Sequence, residues 1–266
     1  MNLLRELFEY RFMLNAVLAA ILASIACGFI GTIIVEKKLV SISGGIAHAS
    51  FGGIGLGYLL NFEPIFGALL FAIFSALSIN FIKNKASTYA DTIIGIFWSV
   101  GMSLGIIFIA LTPGYAPNMS SYLFGNILTV SSVYLTLMFV ITIIIVFVVI
   151  VFFNYWQAFL FDKQYCITLG INTKLLENIL MILIALCVVS LVKVVGVVLS
   201  LALFTIPPAI TRMYTFNFKR IMAYSCLLGV FFTLLGLCLS YIYDIPSGAT
   251  IVIASAVCYG LACIKT

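Results

Sequence analysis

The feature that most restricts the fold is a series of nine apolar segments, each about 20 residues long, with short polar connections between them. A helix of that length matches the thickness of a bilayer's hydrocarbon core. Only 8% of the 266 residues are charged, whereas a soluble domain carries about 25%. Because a backbone in lipid must satisfy its hydrogen bonds internally, each segment should be helical. The sequence therefore predicts an all-α, polytopic membrane protein, one transmembrane domain over residues 1–266, with spans near 12–35, 39–60, 64–82, 91–111, 133–153, 175–192, 194–211, 221–241 and 247–264.

The distribution of lysine and arginine predicts the orientation. With the N-terminus outside, ten of the 13 basic residues fall in inner loops or at the inner C-terminus, and Arg5, Arg11 and Lys193 remain outside. This asymmetry is what the positive-inside rule expects of a cytoplasmic (inner) membrane protein. Because the basic residues are scattered through short loops, the net charge of +5 indicates topology control and no nucleic-acid partner.

The connection after the fourth segment differs from an ordinary loop. It begins with a cluster of helix breakers that includes Pro113, Gly114 and Pro117, and an apolar stretch too short to cross a membrane follows. Irregular backbone at membrane depth must be buried by protein. We therefore expect a short re-entrant helix at the outer face, near residues 119–130.

The second segment contains the chain's single histidine, His48, among many glycines. Small residues recur there at every fourth position and would let another helix approach closely: Gly45, Ala49, Gly53 and Gly57. An ionisable side chain inside a membrane usually faces a cavity or a partner, and neutral imidazole is a common transition-metal ligand. The ring would equally serve packing by a hydrogen bond to a neighbouring helix. Residue chemistry leaves both interpretations open.

Three further features have structural alternatives. Residues 101–105 match the Gly-x-Ser-x-Gly nucleophile elbow around Ser103, but that motif needs a strand–turn–helix, whereas an apolar helix is expected here. Pro207 and Pro208 mark either a kink in the seventh segment or its end. The inner loop at 154–174 is consistent with either a surface helix that binds a partner or a solvent-exposed connecting segment.

Several stretches in order resemble the ABC-3 family, the permease subunits of bacterial and archaeal uptake ABC transporters for zinc, manganese and iron. They are GGIAHASFGGIGLGYLL (44–60), DTIIGIFWSVGMSLGI (91–106), SYLFGNIL (121–128), FDKQYCITLGI (161–171), VKVVGVVLSLALFTIPPAIT (192–211) and YDIPSGATIVI (243–253). The resemblance implies a dimer of permeases with cytoplasmic ABC ATPases and an extracytoplasmic metal-binding protein. It implies no tightly bound cofactor, the divalent metal ion being the cargo.

The resemblance also assigns residues. The family pattern D-x-E-x-A-x-x-x-G, which lies in the cytosolic helix that couples to the ATPase, falls on Asp162, Gln164, Cys166 and Gly170, so two of its four positions differ. The family's acidic residue four positions before the segment-2 histidine is Gly44 in this chain. Of the two metal-pathway positions in the family, this chain therefore keeps only the histidine, His48.

These observations predict a metal-uptake ABC permease and not an enzyme, since the sequence contains no G-x-x-x-x-G-K-[ST] phosphate-binding loop. The alternative is a stand-alone secondary transporter, which needs ion-coupling carboxylates at mid-membrane. All eight acidic residues lie near span ends or in loops. An intramembrane serine protease that uses Ser103 and His48 is a third, more distant interpretation.

Overall fold

The computed structural model describes residues 11–85, 90–113, 120–125, 127 and 130–265. Within these ranges the chain forms twelve α-helices and no β-strand. In chain order they are α1 Arg11–Glu36, α2 Val40–Leu59, α3 Pro64–Lys85, α4 Ala90–Ala110, α5 Ser120–Phe124, α6 Ser132–Val151, α7 Phe153–Phe161, α8 Lys163–Thr168, α9 Thr173–Val192, α10 Val197–Tyr214, α11 Phe218–Tyr243 and α12 Ser247–Lys265.

The nine helices of 18 residues or more correspond one to one with the nine predicted segments. Eight of them, within the described part of the chain, are long and apolar enough to cross a membrane. The exception is α2, which is 20 residues long but rich in glycine and serine, and most of its residues are buried by protein. The predicted all-α polytopic fold is confirmed, and the chain is a multi-pass membrane protein.

Helix α10 decides one of the two alternatives at the proline pair. It begins at Val197 and continues through Pro207 and Pro208 to Tyr214, so the prolines do not end it, and a kink there stays a prediction. Pro208 has no N–H to donate to the carbonyl of Phe204, four residues earlier. That carbonyl lies against Gly31 of α1, where a Cβ atom would approach its oxygen to 2.5 Å. The sequence pattern could not show this contact, because its two sides lie on distant helices.

The short helix α5 lies in the region where a re-entrant helix was predicted, and residues 119, 126, 128 and 129 of that region lie outside the described residues. Gly125 follows α5 with φ +65°, and Gly196 precedes α10 with φ +84°. Each glycine sits against the other's backbone, so a side chain on either one would collide with the other segment. Lys193 Nζ also donates to the Tyr122 hydroxyl at 3.0 Å. These contacts hold α5 against the turn between α9 and α10.

The helices group into two compact units. The first comprises Met1–Val35, Ser120–Val148 and Ser190–Thr266, and the second comprises Glu36–Met119 and Val149–Val189. In the first unit α1 packs through alanine and other small residues, and the hydroxyls of Ser24 and Thr233 lie 3.3 Å apart in its core. That one domain covers residues 1–266 stays a prediction. The candidate functional residues lie in the second unit.

Candidate functional site

Helix α2 makes unusually close contacts with two neighbouring helices. A Cβ atom at Gly53 would collide with the backbone of Gly67 on α3, and one at Gly67 would collide with Gly53. On another side, Gly45 lies against the Ile94 side chain of α4. The same kind of contact joins Gly57 to Pro64 of α3. It also joins Gly55 to Gly105 and Ala49 to Gly101, both of which are on α4. Because small residues let helix backbones approach closely, these contacts fix the position of α2, and of His48 on it.

Replacing Gly53 by alanine is expected to destabilise the protein by about 1–3 kcal/mol, the usual cost of overpacking, because the methyl group has no space beside Gly67. The matched control is Gly95→Ala on α4, where a Cβ atom meets nothing within 4 Å. Thermal unfolding of the two purified variants in detergent provides the comparison. Equal midpoints for Gly53→Ala and Gly95→Ala would contradict the close contact between α2 and α3.

His48 is half-buried and faces α4. Its Nδ1 atom lies 3.1 Å from the sulfur of Met102. Its ring stacks on that of Trp98 with a centroid separation of 3.9 Å and an interplanar angle of 10°. Gly44, one turn earlier, is buried and supplies no carboxylate. The described residues contain no group of three or more His, Cys, Asp or Glu that could hold a metal ion, so any ion at His48 would need ligands other than such a cluster.

The elbow motif at residues 101–105 lies inside the continuous helix α4. Gly101 packs against Ala49 and Gly105 against the backbone of Phe51. The strand–turn–helix that an elbow requires is therefore not formed at this sequence. These glycines serve the close packing of α2 and α4, and the structure gives Ser103 no elbow geometry.

The predicted coupling segment forms the short helix α8, which is capped at both ends. The Asp162 carboxylate accepts hydrogen bonds from the backbone N–H groups of Gln164 and Tyr165, at 2.8 and 3.1 Å. At the other end Gly170 has φ +73°, and its N–H donates to the Ile167 carbonyl. With the bond from Ile171 to the Cys166 carbonyl, this arrangement is a Schellman motif. The two positions that match the family pattern are thus the two caps of the helix.

The two positions that differ from the pattern lie on opposite faces of α8. Cys166 is fully buried, whereas Gln164 is exposed. Large apolar side chains are also exposed on and beside this helix, by 56–78% of their surface: Phe161, Tyr165, Ile167 and Leu169. A cluster of exposed apolar side chains of this kind is typical of a surface that a partner covers.

Polar contacts tie α8 to the membrane-spanning helices α9 and α3. Lys163 Nζ forms an ion pair with Glu177 of α9, and the second Glu177 oxygen accepts from Asn84 Nδ2 at 3.0 Å. Asn84 also donates to Asn80, which is 4% exposed and donates to Asn178 Oδ1 at 2.8 Å. Buried side-chain amides that bond across helices hold membrane helices together. The helix α8 is therefore linked by a continuous series of polar groups to the interior of its unit.

The preceding helix α7 has its own attachment. Lys37 Nζ donates to the Phe159 carbonyl at 2.6 Å and lies 3.8 Å from the centroid of the same residue's ring. Burial lowers the pKa of Lys37, and the carboxylate of Glu177 opposes that shift. The connections at 36–39, 83–85 and 154–174 therefore lie at the same end of this unit, as the assignment of all three to the inner side requires.

Sequence reasoning missed Lys163, Glu177 and the asparagines that join them. The available signal was the spacing of Asn80 and Asn84, which puts two amides on one face of an otherwise apolar segment. Glu177 and Asn178 interrupt the start of another apolar segment in the same way. A polar side chain inside a membrane helix calls for a partner, but the sequence does not say which of the other helices provides it.

The model of the ABC 3 transport family matches residues 9–266, nearly the whole chain. The chain belongs to the ABC 3 transport family. Among similar family members, a protein of Chlamydia pneumoniae described as a "probable metal transport system membrane protein" is 37% identical, over 94% of this chain and 87% of that one. The manganese transport system membrane protein MntC of Listeria monocytogenes is 30% identical, over 98% and 93% of the two chains. The structure of PsaBC from Streptococcus pneumoniae in complex with Fab aligns with a TM-score of 0.88 at 27% identity, over 97% of this chain and 93% of that one.

Proposed function

We infer that this ABC 3 protein is the membrane-spanning permease subunit of an ABC importer for divalent transition metal ions, driven by separate cytoplasmic ATPases. The observation that carries the inference is the match, over residues 9–266, to a transport family whose similar members are named as metal transport membrane proteins. Zinc, manganese and iron are the candidate cargoes, with manganese named in the Listeria relative.

The helix α8 is the proposed docking element for the ATPase. Its exposed apolar side chains offer a surface to a partner, and its buried face and the Lys163–Glu177 ion pair attach it to the transmembrane helices. A short helix that is capped at both ends presents this surface in one orientation. Movement of a docked ATPase would therefore reach α9 and α3 directly.

His48 is the proposed pathway residue, with the metal as a transient cargo. The ring stands on the helix that glycine contacts fix most closely, and it is partly accessible beside α4. A second permease copy would complete the pathway, and an extracytoplasmic binding protein would deliver the ion and set most of the selectivity. These partners are proposed from the resemblance to the family.

The described acidic residues give the secondary transporter no support. They lie at or near helix ends: Glu36, Glu63, Asp91, Asp162, Glu177 and Asp244. Ion coupling in such transporters uses sites near the bilayer midplane. Glu177 lies deepest along its helix, but its carboxylate already forms an ion pair with Lys163 and accepts a hydrogen bond from Asn84.

Reconstitution tests the proposed function. The permease, co-purified with its ATPase and placed in proteoliposomes with the loaded binding protein, is expected to accumulate manganese or zinc only when ATP is present. Vesicles with an ATPase inactivated in its own phosphate-binding lysine serve as the control. Metal accumulation that follows an ion gradient and ignores ATP would instead establish the secondary transporter.

A further inference from the structure

A cavity of about 550 Å³ opens between α3 and α9, at the end of the second unit that carries Lys83, Lys85 and Lys174. Its lining comprises three amides, two lysines and two apolar side chains: Asn80, Asn84, Asn178, Lys85, Lys174, Leu77 and Phe81. None of these described lining residues is a carboxylate. The nearest one along the chain, that of Glu177, is neutralised by Lys163. Its described lining therefore carries two cationic side chains and no carboxylate as their counter-ion, on a wall that is mostly apolar.

The lining changes in character along α3. Leu77, Phe81 and Lys85 are spaced by four residues and share one face of the helix. They cover about 12 Å along the helix axis, with the apolar residues toward the membrane interior and the lysine at the end. Lys174 and Asn178 face the same cavity from α9 with the same spacing. A ligand that fits this gradient has an anionic head and an apolar tail.

We propose that this cavity binds an anionic phospholipid of the leaflet on the lysine-rich side. Lys85 and Lys174 neutralise the phosphate, and the amides of Asn84 and Asn178 lie beside it. The acyl chain lies along Leu77 and Phe81, whose side chain is 64% exposed. A basic pocket between membrane helices is a common headgroup site. The assignment does not depend on the cargo or on ATPase coupling.

The test uses the intact permease in detergent and measures bound phosphatidylglycerol and phosphatidylcholine by native mass spectrometry. Wild-type protein is expected to retain phosphatidylglycerol preferentially. The variants Lys85→Gln and Lys174→Gln should each lose about fivefold in that affinity, the usual effect of one basic residue at a membrane surface. Lys83→Gln is the matched control, because Lys83 is exposed in the same last turn of α3 but does not line the cavity.

Three outcomes would overturn the proposal. Equal retention of the two lipids removes the preference for an anionic headgroup. An equal loss in Lys83→Gln shows a diffuse surface charge and no defined cavity site. Displacement of the lipid by millimolar inorganic phosphate, together with an equal affinity of the cavity for phosphate alone, shows that the site takes the free anion. Circular dichroism of each variant confirms that the helices are intact.

Discussion

Replacing Gly170 by proline is expected to reduce ATP-driven metal uptake at least about tenfold, because it removes the structure that ends α8, the proposed coupling helix. Proline fixes φ near −65°, whereas Gly170 has φ +73°. It also removes the N–H that donates to the Ile167 carbonyl. The preceding residue, Leu169, has φ −78° and ψ 1°, near the helical region that a following proline disfavours. The end of α8 must therefore rearrange, together with the apolar side chains that it presents.

The control at the same position is Gly170→Asn. Asparagine tolerates the left-handed region better than other residues with a side chain, and it is the usual substitute for glycine at this cap. A Cβ atom at position 170 meets nothing within 4 Å, so only the backbone conformation limits the substitution. We expect Gly170→Asn to keep uptake within about twofold of wild type.

The measurement combines metal uptake with ATP hydrolysis stimulated by the binding protein, at matched amounts of membrane-inserted complex. A Gly170→Pro complex that assembles but no longer links hydrolysis to uptake is the expected result. Normal transport-linked hydrolysis in Gly170→Pro would show that α8 does not couple the two subunits. Equal loss in the proline and asparagine variants would show that glycine is needed for close approach of the partner and not for its φ angle.

The sequence predicts the helices well because the bilayer restricts the alternatives. A chain with so few charges can only satisfy its backbone by forming helices of membrane length. The nine segments accordingly match the nine long helices to within about three residues at each end. Helix α10 is the one that differs by three residues at both ends, and there the proline pair suggested an earlier end. Gly31 of the distant helix α1 leaves space for the carbonyl of Phe204, which receives no N–H from Pro208.

The site is less predictable because its contacts join segments far apart in the chain. The caps of α8 are local, so the aspartate and glycine that form them are visible in the spacing of the loop. In contrast, nothing in the sequence pairs His48 with Met102 and Trp98, or Glu177 with Lys163 and Asn84. In an apolar environment a polar side chain requires a partner, but several helices could supply one. Only the three-dimensional packing selects among them.

Substitution of His48 by alanine is expected to abolish metal uptake if the imidazole lines the pathway, while the proposed dimer remains folded and the proposed ATPase remains bound. In that case His48→Gln should be nearly as damaging, because an amide is a poor substitute for imidazole at a transition metal. The packing interpretation predicts a different order. Glutamine keeps a hydrogen-bonding group toward α4 and would largely restore uptake. The ratio of uptake in the glutamine and alanine variants therefore separates the two interpretations.

The structure supplies a control for the packing contribution. Met102→Leu keeps the approximate volume beside His48 but removes the sulfur that lies 3.1 Å from Nδ1. Uptake in this variant should stay near wild type if the ring acts on the ion. If Met102→Leu is as damaging as His48→Ala while His48→Gln transports normally, the ring acts through its contact with α4.

Gly44→Asp is the complementary substitution. It places a carboxylate one helical turn before His48, on the same face of α2. A carboxylate and an imidazole together bind a divalent ion more strongly than the imidazole alone. We therefore expect the purified variant to retain manganese or zinc more tightly and to transport it more slowly, because release becomes harder. Equilibrium dialysis with radioactive metal measures the retention, and proteoliposome uptake measures the rate. Unchanged retention in Gly44→Asp together with normal uptake in His48→Gln would exclude a metal site on α2. In that case, adding a carboxylate would not change metal binding and removing the imidazole would not change metal transport.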